Sequence, residues 1–297
     1  MRCIIMLYVT LYYKMDTLVA FVIFIIVLFV YIHLTAQFKK SEDLEIYEMD
    51  YKTSQQLNEI CELRQPVLFE LKEQYPELFE RVEVTGDVNV KDKNDFETGD
   101  FITMPYSNAE TLTKTDPKSR FYSENNTDRI YNKAADEVLK PTFSMFSKQD
   151  VMFGSKGART STKFHTNSRK FICVNTGKIQ VKMSPWKNRK YLNPTYDYEN
   201  YEFRSPIDVW DPQPKYLNEY EKVKFLEFDV DNGYVLYIPP YWFYSIKYFD
   251  EYTQLTEYNY NTLINGVANV PNYCMYYLQQ NNIKKKDLKT LVATSEL

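Results

Sequence analysis

Two histidines, His33 and His165, are all the imidazole that this chain of 297 residues carries. That limits its chemistry before any fold is considered. A non-haem iron centre of the facial-triad kind takes two histidines and a carboxylate on one face. A Ser/His or Cys/His nucleophile needs an imidazole at its side. His33 lies in the apolar run at 17–36, TLVAFVIFIIVLFVYIHLTA, so only His165 stands among polar neighbours, in KFHTN at 163–167. The plainer reading of His165 is a hydrogen-bonded histidine, and of Lys163 a solvated lysine. Four cysteines (Cys3, Cys61, Cys173, Cys274) are scattered with no CxxC pair. They suit reduced thiols better than zinc or a disulfide framework. There is no GxGxxG, no GxxxxGK[ST] and no GxSxG. Asp208 and Asp211 form a carboxylate pair in a stretch that reads as loop, which falls short of a glycosidase arrangement.

The elements that must position such residues begin with the run at 17–36. It is uncharged and of the length a helix needs to cross the hydrocarbon core. A cleaved signal would have a shorter apolar core and a better small-residue site than Leu34-Thr35-Ala36, so a signal anchor contacting a lipid bilayer is expected. Residues 1–16 are then an N-terminal extension, with Met15 as an alternative start. Lys39 and Lys40 compete with Arg2 and Lys14, leaving orientation open. The sequon Asn125-Asn126-Thr127 matters only on a luminal side. A net charge of −4 and a pI near 5.5 give no electrostatic reason for nucleic-acid binding. With 16% aromatic residues, 27 of them Tyr, and only 7 Gly, the composition favours sheets with filled faces.

Residues 41–150 read as a mixed helix and strand preface. Strands are expected at 45–51, 65–69, 82–90 and 120–123, helices at 55–64 (capped by Thr53 or Ser54), 72–81 and 103–114, and a polar loop at 91–100. Residues 151–265 read as a β-barrel core. Strands at 171–175 and 178–183 flank Thr176-Gly177 like a hairpin. Residues 187–220 read as a long loop over the barrel mouth. Strands follow at 223–228, 234–238, 242–248 and 254–260. Residues 266–297 form a helical tail, with Lys284–Lys286 solvated.

Several blocks carry a family resemblance. They are QPVL at 65–68, FYSEN at 121–125, residues 154–162 with their glycine turn, Trp186 with Tyr191-Leu192, and above all NGYVLYIPPYWFYSI at 232–246. Over roughly 45–265 the chain resembles the cupin-like, JmjC-type proteins that include asparaginyl and lysyl hydroxylases. More narrowly, it is similar to uncharacterised proteins of large DNA viruses of algae and protists. The resemblance implies a mainly β fold with helical additions, a double-stranded β-helix preceded by one transmembrane helix.

In that family a Thr stands three positions before an HxD motif. Thr160 then puts Lys163 at the first histidine and His165 at the carboxylate, while another register puts His165 first and Asn167 at the carboxylate. The distal histidine falls on Tyr244. Tyr122 and Thr160 match positions that bind 2-oxoglutarate in some relatives. The cosubstrate lysine is replaced by Ile179, with Lys178 and Lys182 nearby, and an acidic turn residue by Tyr234. An ammonium at Lys163 repels a metal ion. The expectation is a protein with no catalytic residue, no metal and no cofactor. Its degenerate pocket holds Tyr122, Thr160, Lys163, His165 and Tyr244, and it binds a protein partner or a small anion or sugar at the barrel mouth. It would sit as a single-pass protein in a viral membrane or virion, or in a host membrane. The alternative is an Fe(II)/2-oxoglutarate hydroxylase with an atypical site.

Overall fold

The computed structural model describes residues 2–94, 100–126 and 131–295, with side chains described over 17–94, 100–126 and 131–283. The chain divides into two units, 1–39 and 40–297. The first is one helix, α1 (Arg2–Gln37). Its segment Thr17–Gln37 is long and apolar enough to cross a membrane. Polar side chains there find partners one turn back: Thr35 Oγ1 donates to Tyr31 O at 3.0 Å, and the His33 Nδ1–H donates to Phe29 O at 2.8 Å. That is how polar groups are accommodated in a helix without water. Residues 2–16 continue this helix, so the expected extension has no backbone boundary with the span.

The second unit is mainly β. It opens with β1 (Tyr47–Asp50), α2 (Ser54–Cys61), β2 (Val67–Glu70), β3 (Asp87–Asp92), β4 (Ile102–Pro105), α3 (Tyr106–Thr115), β5 (Phe121–Ser123) and α4 (Lys133–Leu139). It continues with β6 (Ser144–Gly154), β7 (Lys163–Phe164), β8 (Arg169–Thr176), β9 (Lys178–Ser184), α5 (Arg189–Leu192), β10 (Thr195–Asp197) and β11 (Glu202–Arg204). It ends with α6 (Leu217–Tyr220), β12 (Leu226–Asp231), β13 (Tyr234–Ile238), β14 (Phe243–Tyr248), β15 (Thr253–Thr262), α7 (Leu263–Ala268) and α8 (Val270–Ser295). Nine strands form one sheet in the order β1-β2-β13-β8-β15-β6-β5-β3-β4, and six form the other, β10-β11-β7-β14-β9-β12. The strands of the expected preface belong to the large sheet, and β6 runs through the boundary drawn at residue 150.

Strand alternation builds three apolar layers. Between the sheets, Ile172 and Val174 of β8 meet Ile179, Val181 and Met183 of β9 and Ile246 and Tyr248 of β14. Phe171 and Cys173 of β8 turn the other way, against Leu57 and Cys61 of α2 and Val138 and Leu139 of α4. Phe243 of β14 joins Phe164, Phe203, Leu192 and Trp186 on the outer face of the small sheet. Helix α2 forms as its cap predicts, with Thr53 Oγ1 accepting from the Gln56 amide at 3.2 Å.

Four expectations are corrected. The helix at 72–81 is only a 3-10 turn, Pro76–Leu78, because the residue before a proline is driven from helical geometry. The strand at 82–90 begins at Asp87; before it, the Gln254 side-chain amide takes both the N–H and the carbonyl of Val82 at 2.8 Å. The strands flanking Gly177 do not form a hairpin, since β8 and β9 lie in different sheets. The loop at 187–220 holds α5, β10, β11 and α6, and Trp186 with Tyr191-Leu192 is helical turn, not strand. Of the expected loop at 91–100, residues 95–99 lie outside the described residues; the side chains of Cys3 and Lys284–Lys286 do so too.

Gly177 is the corner where the chain passes from one sheet to the other, at φ +77°. A Cβ there would meet Thr253 Oγ1 at 2.6 Å and Tyr252 O at 3.0 Å. Gly177→Ala is expected to lower stability by about 1–3 kcal/mol in urea unfolding. Gly266→Ala, in α7 with nothing within 4 Å of the new carbon, is expected to be neutral or to stabilise by up to about 1 kcal/mol.

Candidate functional site

At one end of the space between the sheets, the inward positions change from aliphatic to charged. The alternation that sends Phe164, Phe171, Phe203, Phe243 and Tyr258 outward sends Lys163, Lys170, Glu202, Tyr244 and Glu257 inward. Strand register then sets their neighbours. Lys163 on β7 lies opposite Tyr244 on β14 and Arg204 on β11. Lys170 on β8 lies opposite Asn259 on β15, and Lys91 on β3 opposite Tyr122 on β5.

These buried charges pair completely. The Lys163 ammonium sits 2.5 Å from Glu124 Oε2, and Lys91 bridges Glu124 Oε1 at 3.1 Å and Glu202 Oε1 at 2.7 Å. Arg204 binds Glu202 at 3.2 Å and Asp197 at 2.9 Å. Separately, Lys170 holds Glu257 Oε1 at 2.6 Å. Four cations thus face four carboxylates. Burial alone would neutralise the carboxyls, but Lys163 and Lys91 pull Glu124 down to about 2, and Lys170 and Lys163 do the same for Glu257. Burial likewise works to lower Lys163, and Glu124 outweighs it, holding the ammonium well above its ordinary value.

A cavity of about 460 Å³ opens over this floor. Lys163, His165 and Tyr244 line it, as do Lys91, Lys170, Glu202 and Glu257. The rings of His165 and Tyr244 are 6.3 Å apart, and the Lys163 ammonium is 5.9 Å from the Tyr244 ring. Tyr122 and Thr160 are buried behind the lining. Thr160 Oγ1 accepts from the Ile246 amide at 3.0 Å, a task of sheet construction. Ile179 is in the core, Lys178 pairs with Asp229 and Asp231, and Lys182 with Glu227, all away from the cavity. Asp208 and Asp211 bind Arg159 rather than facing each other across a cleft. The Asn125 amide of the sequon donates to Glu202, while Thr127 lies outside the described residues. Sequence reasoning missed Lys91, Glu124, Lys170, Glu202, Arg204 and Glu257. The available signal was a charged residue at an inward position of an otherwise apolar strand, as in RKFICV at 169–174 and QLTEYNY at 254–260.

His165 is held by its Nε2–H, which donates to Ile238 O at 3.0 Å. Burial, then the Lys170 ammonium, pushes its pKa well below the ordinary 6.5, so the ring is neutral and Nδ1 carries a lone pair. That Nδ1 is buried and has no hydrogen-bond partner among the described residues.

The cupin-like domain model matches residues 42–266. The chain belongs to the cupin-like domain family. No curated protein matches it. In this cupin-like domain either register of the resemblance offers an iron ion at most one imidazole, His165, with Asn167 as the carboxylate position in the second register. The positions that the resemblance assigns to ligands hold an ammonium already bonded to a carboxylate, a single imidazole tied to a backbone carbonyl, and a tyrosine with its pKa raised by burial. Among the described residues no three His, Cys, Asp or Glu side chains converge as a metal cage.

Two predictions follow from the charges. Lys170→Met leaves Glu257 buried without its cation and is expected to cost about 3–5 kcal/mol. The double variant Lys170→Met/Glu257→Leu is expected to recover most of that loss, which urea unfolding of the wild type, Lys170→Met, Glu257→Leu and the double variant measures.

The second prediction concerns pH. Burial and then the Glu257 charge push Asp150 up to about 6. The folded chain therefore binds a proton there more readily than the unfolded chain. Asp150 adds stability as pH falls from about 6 toward 4, and its ionisation destabilises the fold at neutral pH. His165 acts oppositely: kept neutral in the fold, it removes stability as pH falls below about 6.5. Asp150→Asn is expected to raise the melting temperature at about pH 7.5 and to steepen the loss on acidification to about pH 5.

Proposed function

We propose that this chain is a membrane-anchored cupin-like protein of the JmjC type, a double-stranded β-helix that binds rather than catalyses. The observation behind this reading is the Lys163 ammonium, 2.5 Å from Glu124, at the position the resemblance gives to the first metal histidine. A cation is already built into the floor, covalently attached and neutralised by an acid that the sequence supplies. Tyr244, opposite Lys163, replaces the distal histidine with a group whose hydroxyl proton burial retains. Neither change leaves an open coordination position, which catalysis by a metal requires.

The span Thr17–Gln37 supports the anchor, with length and uninterrupted apolarity as the argument. The similarity to proteins of large DNA viruses gives a viral membrane or virion as the setting. A cavity lined by charged, amide and aromatic side chains supports binding as the activity, since concave sites of this size are where small molecules are held.

The test is calorimetric titration of the metal-free chain with Fe(II) and with Mn(II), with and without 2-oxoglutarate, beside His165→Ala. The expected result is no heat beyond that of the variant. Uptake of one Fe(II) per chain with consumption of 2-oxoglutarate, both lost in His165→Ala, would overturn the reading.

A further inference from the structure

The cavity says something about what it binds. Its wall carries an ordered run of amides from mouth to floor. Asn261 Nδ2 donates to Asn167 Oδ1 at 3.2 Å, and Asn167 Nδ2 to Asn259 Oδ1 at 2.8 Å. Asn259 Nδ2 then donates to Glu257 Oε1 at 2.6 Å, the oxygen that also receives Lys170 at 2.6 Å. All five residues line the cavity; Asn261 and Asn167 are half-buried at the mouth, while Asn259, Glu257 and Lys170 are buried. An amide has two N–H donors and two acceptor lone pairs. Each amide in the run fixes its plane with one N–H and one acceptor lone pair, Asn261 Oδ1 accepting from the Ser168 amide at 3.1 Å, and has one of each left for another molecule.

The floor lysines do not make this an anion site: Lys91, Lys163 and Lys170 each have a carboxylate within 3.1 Å, and the half-buried Lys148 is the one lining lysine for which no ion pair forms among the described residues. An entering anion would meet Glu202 and Glu257 on the same wall. A hydroxyl group meets no such conflict: it accepts from an ammonium or an amide N–H and donates to a carboxylate or an amide carbonyl. Aromatic rings stand around the opening. Tyr201 and Tyr273 stack at 5.5 Å, and Phe101 and Phe146 are exposed at the rim. Such faces suit the C–H side of a saturated polyol ring, which wants apolar contact on one face and hydrogen bonds at its edge.

We infer that the cavity binds a neutral sugar, a mono- or disaccharide or the terminal residue of a glycan, along the amide run from Asn261 to Glu257. This rests on the non-catalytic binding reading above and names its ligand class.

The test uses the full chain in a detergent without sugar headgroups. Glucose, galactose, mannose, N-acetylglucosamine and maltose are titrated by calorimetry and by saturation-transfer NMR, with inorganic phosphate and citrate in parallel. At least one sugar is expected to bind, with affinity reduced about tenfold or more in Asn261→Leu, the loss of one or two hydrogen bonds. Glu257→Gln should weaken it further. If that variant fails to fold because Lys170 loses its carboxylate, Asn261→Leu, which leaves every ion pair intact, carries the test alone. Phosphate or citrate binding more tightly than every sugar and weakening with salt would overturn the sugar and leave the binding reading standing. No binding of any sugar at about 10 mM would also overturn it. Iron uptake in the preceding titration would remove the reading on which it rests.

Discussion

Ion pairing in a dry interior is the constraint on which this domain depends. Lys91, Lys163, Lys170 and Arg204 are all nearly inaccessible to water, and each must find an acid or forfeit several kcal/mol. Their partners come from distant parts of the chain. Glu124 follows β5, Glu202 lies on β11, and Glu257 lies on β15. Closing the network therefore requires both sheets to be assembled in one register. A slip of one residue in β8 would turn Arg169 and Phe171 toward the charged floor and Lys170 away from Glu257. Such a network is weak evidence for high stability, because well-packed apolar residues do as well. Its effect is selective: wrong registers leave a charge unpaired.

The apolar layers complement that selection. Two of the three lie outside the sandwich, where α2 and α4 cover the large sheet and the segment from Trp186 to Phe225 covers the small one. With both faces of β8, β14 and β15 covered, the inner space has no need to be apolar throughout. Aliphatic side chains such as Ile172, Val181 and Ile246 fill one part of it, and charges and amides fill the other. The small sheet reaches the site through β7 and β14, which carry Lys163 and Tyr244, and through β11, which brings Glu202 against Lys91 and Arg204 beside Lys163. The segment expected to lie as loop over the mouth thus supplies part of the floor.

The sequence disclosed the fold better than the site, for a physical reason. Strand positions follow from local alternation, so β13, β14 and β15 were legible within a residue or two, and the Thr53 cap marked α2. The resemblance brought Lys163, His165 and Tyr244 to one place, and they do line one cavity. The partners were not legible, because pairing is non-local. Glu124 lies 39 residues from Lys163, and Glu257 lies 87 residues (257 − 170) from Lys170. Local alternation marks Glu257 as an inward charge but not its partner, and nothing local distinguishes Glu124 from a solvated acid. The false hairpin at Gly177 has the same origin: Thr-Gly between alternating strands marks a tight reversal, but only tertiary structure decides whether the two arms stay in one sheet.

On the proposed reading, an ammonium stands where a relative would hold a metal, and that changes more than the charge. A metal ion exchanges with solvent, couples its own binding to folding, and leaves coordination positions for a substrate. Lys163 cannot leave, adds no ligand-dependent stabilisation, and places a hydrogen-bonded nitrogen where a coordination sphere would be. The acid that holds it, Glu124, lies behind the floor rather than lining the cavity. What remains facing the cavity is donors and acceptors in fixed positions, rigid because each is already half used by a neighbour. That arrangement is what the proposed binding role asks of the site: a polar molecule entering it meets hydrogen-bonding groups already oriented by their neighbours.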